Sequence, residues 1–224
     1  MAETNKKGFD KKKVRYLVLF AIIIAVEAIF CFTPLGSIPI GPLVATLAMI
    51  PVCITGVILG VRAGSVLGFI AGLFSFIYWT FMAPGVMSLA FTPFFKFEFA
   101  EGITFGGSWW TLVICFVPRI LVGTLSGLVY KAVAGRTEKN AVRITGAVLA
   151  GIAGSAINTI GVLGGIALFM GKEFGAIAAT VPEYGTLWGF IGLTVLTNAI
   201  PEAVVSGVVT PSALPIKKLV AGKL

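Results

Sequence analysis

Histidine is absent from this chain of 224 residues, aspartate occurs once, at Asp10, and acidic residues total nine. Each shortage removes a class of chemistry. Without histidine there is no HExxH pair and no Ser/His nucleophile arrangement. One aspartate cannot build the Asp cluster of a metal-dependent phosphotransferase. No GxxxxGK[ST] phosphate loop occurs either. The three cysteines, Cys31, Cys53 and Cys115, stand alone in apolar runs without CxxC spacing. They read as small buried hydrophobes, with no zinc or haem site. The chain is therefore not expected to be an enzyme, and no cofactor or metal is implied.

What the chain has in abundance is apolar surface: 58% of its residues are hydrophobic. These residues fall into about six runs of roughly 20, the length that crosses the ~30 Å hydrocarbon core of a bilayer as helix. The runs are continuously apolar, unlike the alternating ~10-residue segments of a membrane barrel. The expected fold is an all-α integral membrane protein, a bundle of six transmembrane helices. The spans are placed at 14–33, 41–60, 63–82, 108–132, 142–170 and 185–209. A basic tail (1–13) precedes the transmembrane domain (14–210), and a second basic tail (211–224) follows it. The first run is too long for the apolar core of a signal peptide, and no small-x-small site closes it, so it reads as a span.

Charge orients the bundle. With six spans, both termini share one side with the 61–62 turn and the 132–142 loop, and that side carries 14 of the 17 basic residues. Lys96 and Lys172 fall on the other side and Arg119 within a span. The positive-inside rule then places both termini in the cytoplasm. The net charge of +8 is accounted for by this topology and by anionic lipid, and nucleic acid is not implied. The outer loops are 33–40, 83–108 and 172–184. The second is too apolar for a solvated linker and is expected to fold back over the bundle mouth as a lid or to lie in the interface.

Glycines recur every fourth residue at Gly56, Gly60, Gly64, Gly68 and Gly72, and Gly123/Gly127, Gly161/Gly165 and Gly185/Gly189 repeat the spacing. Such grooves let helix backbones approach in lipid and imply packing, not chemistry. Ala21 and Ala25 make a similar flat patch on the first span, and spacing alone favours internal packing for it.

The intramembrane polar residues carry more information. Glu27, Arg119, Asn158, Asn198 and Glu202 fall inside spans, where ionisable groups are costly and usually face a cavity or a partner charge. At 1.5 Å per residue, Arg119 lies about 16 Å and Asn198 about 20 Å from the outer end. Pro118 and Pro201 free backbone carbonyls beside them, as tolerated where a cavity or neighbour satisfies those groups. The set predicts a midplane polar cavity, with Trp79 and Trp109 at outer span ends completing the candidates. A structural pairing of Arg119 with Glu202 or Glu27 is the competing reading.

Four segments carry a family resemblance: IPIGPLVATLAMIPVCITGVILGVRAGSVLGFIAGLFS (38–75), WWTLVICFVPRILVG (109–123), INTIGVLGGIALFMG (157–171) and NAIPEAVVSGVVT (198–210). Together they resemble the S component of an energy-coupling factor (ECF) vitamin transporter, with VPRILVG and NTIGVLGGI nearest the pantothenate-like branch. The resemblance covers about 14–210. It implies high-affinity capture of a small water-soluble vitamin from outside and docking on a scaffold subunit with two ATPases. It also implies gating by the 33–40 loop and contact between the Ala21/Ala25 patch and the scaffold. Arg119 would suit a carboxylate, and Asn158 and Asn198 amide or hydroxyl groups. Riboflavin, cobalamin or another precursor as the solute, and a stand-alone proton-coupled carrier working through Glu27 or Glu202, are the alternatives.

Overall fold

A computed structural model describes residues 11–34, 37–40, 43–82, 85–100 and 103–220. Most of the N-terminal tail (1–10), the last four residues (221–224), Glu101 and parts of the 33–40 and 83–108 loops lie outside the described residues. Among the described residues, five helical segments are long and apolar enough to cross a membrane, and a shorter apolar helix joins them. The molecule is an all-α membrane bundle, decorated by two short hairpins.

Helix α1 (Lys11–Phe32) lies on the outside of the bundle. Ile23 and Glu27, one turn apart, face inward, while Leu17, Val18, Ile22 and Ile29 stay exposed, as lipid-facing side chains do. Ala21 and Ala25 are exposed too. The alanine pair is therefore free of the internal packing that its spacing alone favoured.

The second span differs from the expected 41–60. Strands β1 (Ser37–Ile40) and β2 (Leu43–Thr46) form an antiparallel hairpin with Ser37 opposite Thr46. Helix α2 follows only at Met49–Leu59. The physical reason lies in the residues: Pro39 removes a backbone donor and biases Ile38 to extended backbone, and Val44 and Thr46 are β-branched. At 11 residues α2 is about 16 Å long. It survives in the bundle because nearly every residue from Met49 to Ile58 is buried.

Gly60 alone turns the chain into α3 (Val61–Ile77). Its φ of 92° is a conformation that side-chain-bearing residues rarely adopt. The turn thus falls one residue before the expected Val61-Arg62, which belong to the helix. A π-helical turn (Tyr78–Met82) extends α3.

The 83–108 segment does fold back. Its short helix α4 (Ser88–Phe91) is wholly buried, pinned by Ser88 Oγ donating to the Trp79 carbonyl at 2.9 Å. Strands β3 (Lys96–Ala100) and β4 (Ile103–Gly106) then form a second hairpin.

Helices α5 (Trp110–Ala134) and α6 (Asn140–Phe169) are the long central pair. The region expected as the 172–184 loop instead begins with α7 (Gly171–Thr180), because Phe174 and Ala178, one turn apart, both reach the core. The last span is α8 (Leu187–Thr194), a π segment (Val195–Ala199) and α9 (Ile200–Val209). A 3-10 turn (Thr210–Ala213) leads into α10 (Leu214–Val220), so the C-terminal tail begins as helix.

The glycine stripe holds α2 and α3 against α5. A Cβ on Gly64 would sit 2.5 Å from the Gly123 carbonyl oxygen, one on Gly56 would sit 2.6 Å from it, and one on Gly68 would overlap the Arg119 carbonyl. Gly161 and Gly165 likewise admit Pro118 and Ile114 of α5. The Gly185/Gly189 pair departs from the pattern: Gly185 has φ 61° outside any helix, so it shapes the entry to α8.

Candidate solute-binding cavity

Pro118 lies inside α5 and has no N–H to offer the Ile114 carbonyl one turn back. The next side chain fills the gap: Arg119 Nη1 donates to the Ile114 oxygen at 2.9 Å. The proline and the arginine thus work as a unit that turns the guanidinium along α5 into the bundle. Phe91 of α4 covers the guanidinium, with its ring centroid 4.5 Å from Cζ, and Trp79 lies against Phe91 at 5.9 Å between centroids. A cation under an aromatic face in a water-poor site gains electrostatic stabilisation.

The π segment does the corresponding work on the last span. Pro201 cannot bond back in α-helical register, and the Ile200 N–H reaches the Val195 carbonyl five residues back. Such π-bulges are frequent at functional sites. This one faces Asn198 inward, 5% exposed, with its Nδ2 donating to Thr197 Oγ1 at 3.2 Å.

These groups open onto one cavity of about 170 Å³, room for on the order of ten waters or a small organic solute. Arg119, Asn158, Asn198, Glu202 and Trp79 all line it. The other two sequence candidates do not. Glu27 is fully buried with Oε1 accepting from Cys31 Sγ at 3.3 Å, away from the cavity wall, and Trp109 is 70% exposed at the bundle's end.

The cavity's polar groups are incompletely satisfied. Among the described residues, Arg119 Nε, Asn158 Oδ1 and Asn198 Oδ1 are buried without a hydrogen-bond partner. Each such group costs about 1–3 kcal/mol when left unmade, so three facing one space mark a place for a polar ligand or water. Among the described residues Arg119 makes no ion pair. Glu202 is close enough to act on it electrostatically, and the guanidinium Nε keeps no partner among the described residues.

Sequence reasoning missed Phe91, Met87, Ser75, Thr159 and Thr194, which also line the cavity. For Phe91 and Met87 the signal was the excess apolarity of the 83–108 segment. The small hydroxyl residues left none, because Ser and Thr in a helix commonly bond their own backbone, as Thr194 does to the Phe190 carbonyl at 2.8 Å.

The membrane bundle thus closes an arginine, two asparagines and an aromatic wall around one cavity between its helices. The family of ECF transporter substrate-specific components matches residues 15–214, and the chain belongs to that family. It is also similar to the pantothenic acid transporter PanT of Lactococcus lactis subsp. cremoris strain MG1363. That protein is 35% identical over 202 residues, covering 90% of this chain and 91% of the relative.

Proposed function

We propose that this chain is the pantothenate-capturing subunit of an ECF importer, and that Arg119 holds the vitamin's carboxylate. The observation that carries this reading is the unsatisfied trio of Arg119 Nε, Asn158 Oδ1 and Asn198 Oδ1 around one cavity. Pantothenate presents the complementary chemistry: a carboxylate for the guanidinium, and an amide and two hydroxyls whose N–H and O–H groups can donate to the asparagine oxygens. The similarity to a pantothenic acid transporter favours this vitamin over riboflavin or cobalamin. Glu202, which also lines the cavity, repels a second carboxylate and so disfavours dianions. Calorimetric titration of pantothenate into the purified chain should give saturable binding with one site. Heat from riboflavin or cobalamin and none from pantothenate would overturn the assignment.

On this reading the chain works in the plasma membrane with its termini in the cytoplasm. The scaffold and two ATPase subunits supply the coupling that its own sequence lacks. In a cysteine-free background, Thr137→Cys should react with an impermeant maleimide only from the cytoplasmic side and Glu98→Cys only from outside. The reverse pattern would invert the topology.

The scaffold docks on α1 through Ala21 and Ala25. Their exposure among lipid-facing Leu17, Ile22 and Ile29 leaves a shallow strip that a second helix can approach closely. Replacing both with Trp should leave pantothenate binding unchanged while abolishing uptake by the assembled transporter. Assembly and uptake at wild-type levels would return the pair to an ordinary lipid contact.

A further inference from the structure

A second concavity, of about 160 Å³, lies where the end of α5, the loop into α6 and α10 meet. Tyr130, which helps to line it, is about 16 Å along α5 from Arg119. Three cations, Arg143, Lys217 and Lys218, share it with one carboxylate, Glu138. The carboxylate does not balance the set. Its nearest approach to Arg143 is 3.9 Å and it is 77% exposed, which makes the pair weak. Arg143 acts unfavourably on the Lys217 ammonium, so two like charges are held facing one space.

Lys217 is positioned rather than loose. Lys217 Nζ donates to the Val57 carbonyl at 2.6 Å and sits 3.9 Å from the Tyr130 ring centroid. That contact caps the C-terminal end of α2, where a cation is favourable. It accounts for Lys217 but not for Arg143 or Lys218. Arg143 stands in the first turn of the 30-residue α6, whose start carries no side-chain cap, so the positive end of that helix adds to the same field.

We propose that this concavity is a binding site for a phosphate-bearing anion, and that its occupant is the headgroup of an anionic phospholipid. The shared chemistry is a tetrahedral anion meeting a guanidinium, two ammonium groups and a helix N-terminus. A lipid is favoured over free phosphate because exposed Ile144 and Val133 neighbour Arg143 and Ala134 in sequence, offering acyl chains an apolar flank. Basic pockets between helix ends are a known mode of headgroup recognition. The inference is independent of which vitamin the other cavity holds.

The test uses the full chain in nanodiscs of phosphatidylcholine, with phosphatidylglycerol titrated in and bound lipid read by native mass spectrometry. Wild-type protein should retain one phosphatidylglycerol. The Arg143→Gln/Lys218→Gln variant should need about thirtyfold more, given roughly fivefold per basic residue near a lipid surface. A Lys13→Gln/Arg15→Gln variant, with the same charge change on exposed α1 residues, should match wild type. In a second arm, inorganic phosphate is titrated into pure phosphatidylcholine nanodiscs. Saturable binding there, lost in the same variant, would keep the phosphate site and reassign its source to soluble phosphate. Equal loss in both variants, or retention of neither anion by the wild type, would overturn the site. Should the Arg143/Lys218 variant not fold, competition between the two anions on wild-type protein gives the same decision.

Discussion

Arg119→Ala is expected to weaken pantothenate binding by about 10- to 150-fold, the worth of one charge-assisted hydrogen bond of roughly 1.5–3 kcal/mol. The variant also orphans the Ile114 carbonyl, which Arg119 Nη1 occupies, so its melting temperature should fall as well. The two effects can be separated through Pro118. In a Pro118→Ala/Arg119→Ala double variant the backbone N–H of residue 118 can bond the Ile114 carbonyl in helical register. Stability should then recover while affinity stays low. Arg119→Lys should rescue binding only in part, because an ammonium lacks the planar fork of two donors. Recovery of affinity together with stability in the double variant would show that Arg119 serves α5 and not the vitamin. If Arg119 instead acts chiefly as a partner of Glu202, adding Glu202→Gln to Arg119→Ala should restore stability by removing the orphaned charge.

The polar core of the cavity was legible because bilayer physics makes such residues conspicuous. Arg119, Asn158, Asn198 and Glu202 stand out in apolar runs, and the structure gathers all four around one space. Glu27 obeyed the same rule of avoiding lipid but met it differently, buried beside Cys31, since spacing does not say which inward face a helix turns to the cavity. The hairpin in place of the start of the second span was hidden for a related reason. Hydropathy counts apolar residues without regard to backbone, and Ile38, Val44 and Thr46 suit a strand as well as a span. The two π segments were only half signalled: Pro201 announces a break near Asn198, while nothing in Tyr78–Met82 announces the turn that carries Trp79.

Gly123→Leu should cause the larger structural failure, because the α3–α5 contact is backbone on backbone. Gly123 and Gly64 face each other so closely that a Cβ on either would overlap the other's carbonyl group, and neither main chain can rotate away as a side chain would. The helices must separate, at an expected cost of about 3 kcal/mol or more, with the loss of packing that small residues provide in lipid. Separation would reach the cavity, since α3 carries Ser75 and leads into Trp79 while α5 carries Arg119. Pantothenate affinity should therefore fall with melting temperature, even though Gly123 does not line the site. Gly164→Ala is the matched control: a Cβ there meets nothing within 4 Å, and alanine in a helix interior is favoured over glycine by up to about 1 kcal/mol. Thermal unfolding of both variants in one detergent decides the matter. If Gly123→Leu melts with the wild type while Gly164→Ala does not, the glycine stripe is not what holds α3 to α5. If both variants behave as expected, the close approach of these two backbones is what holds α3, and the Ser75 side of the cavity, against α5.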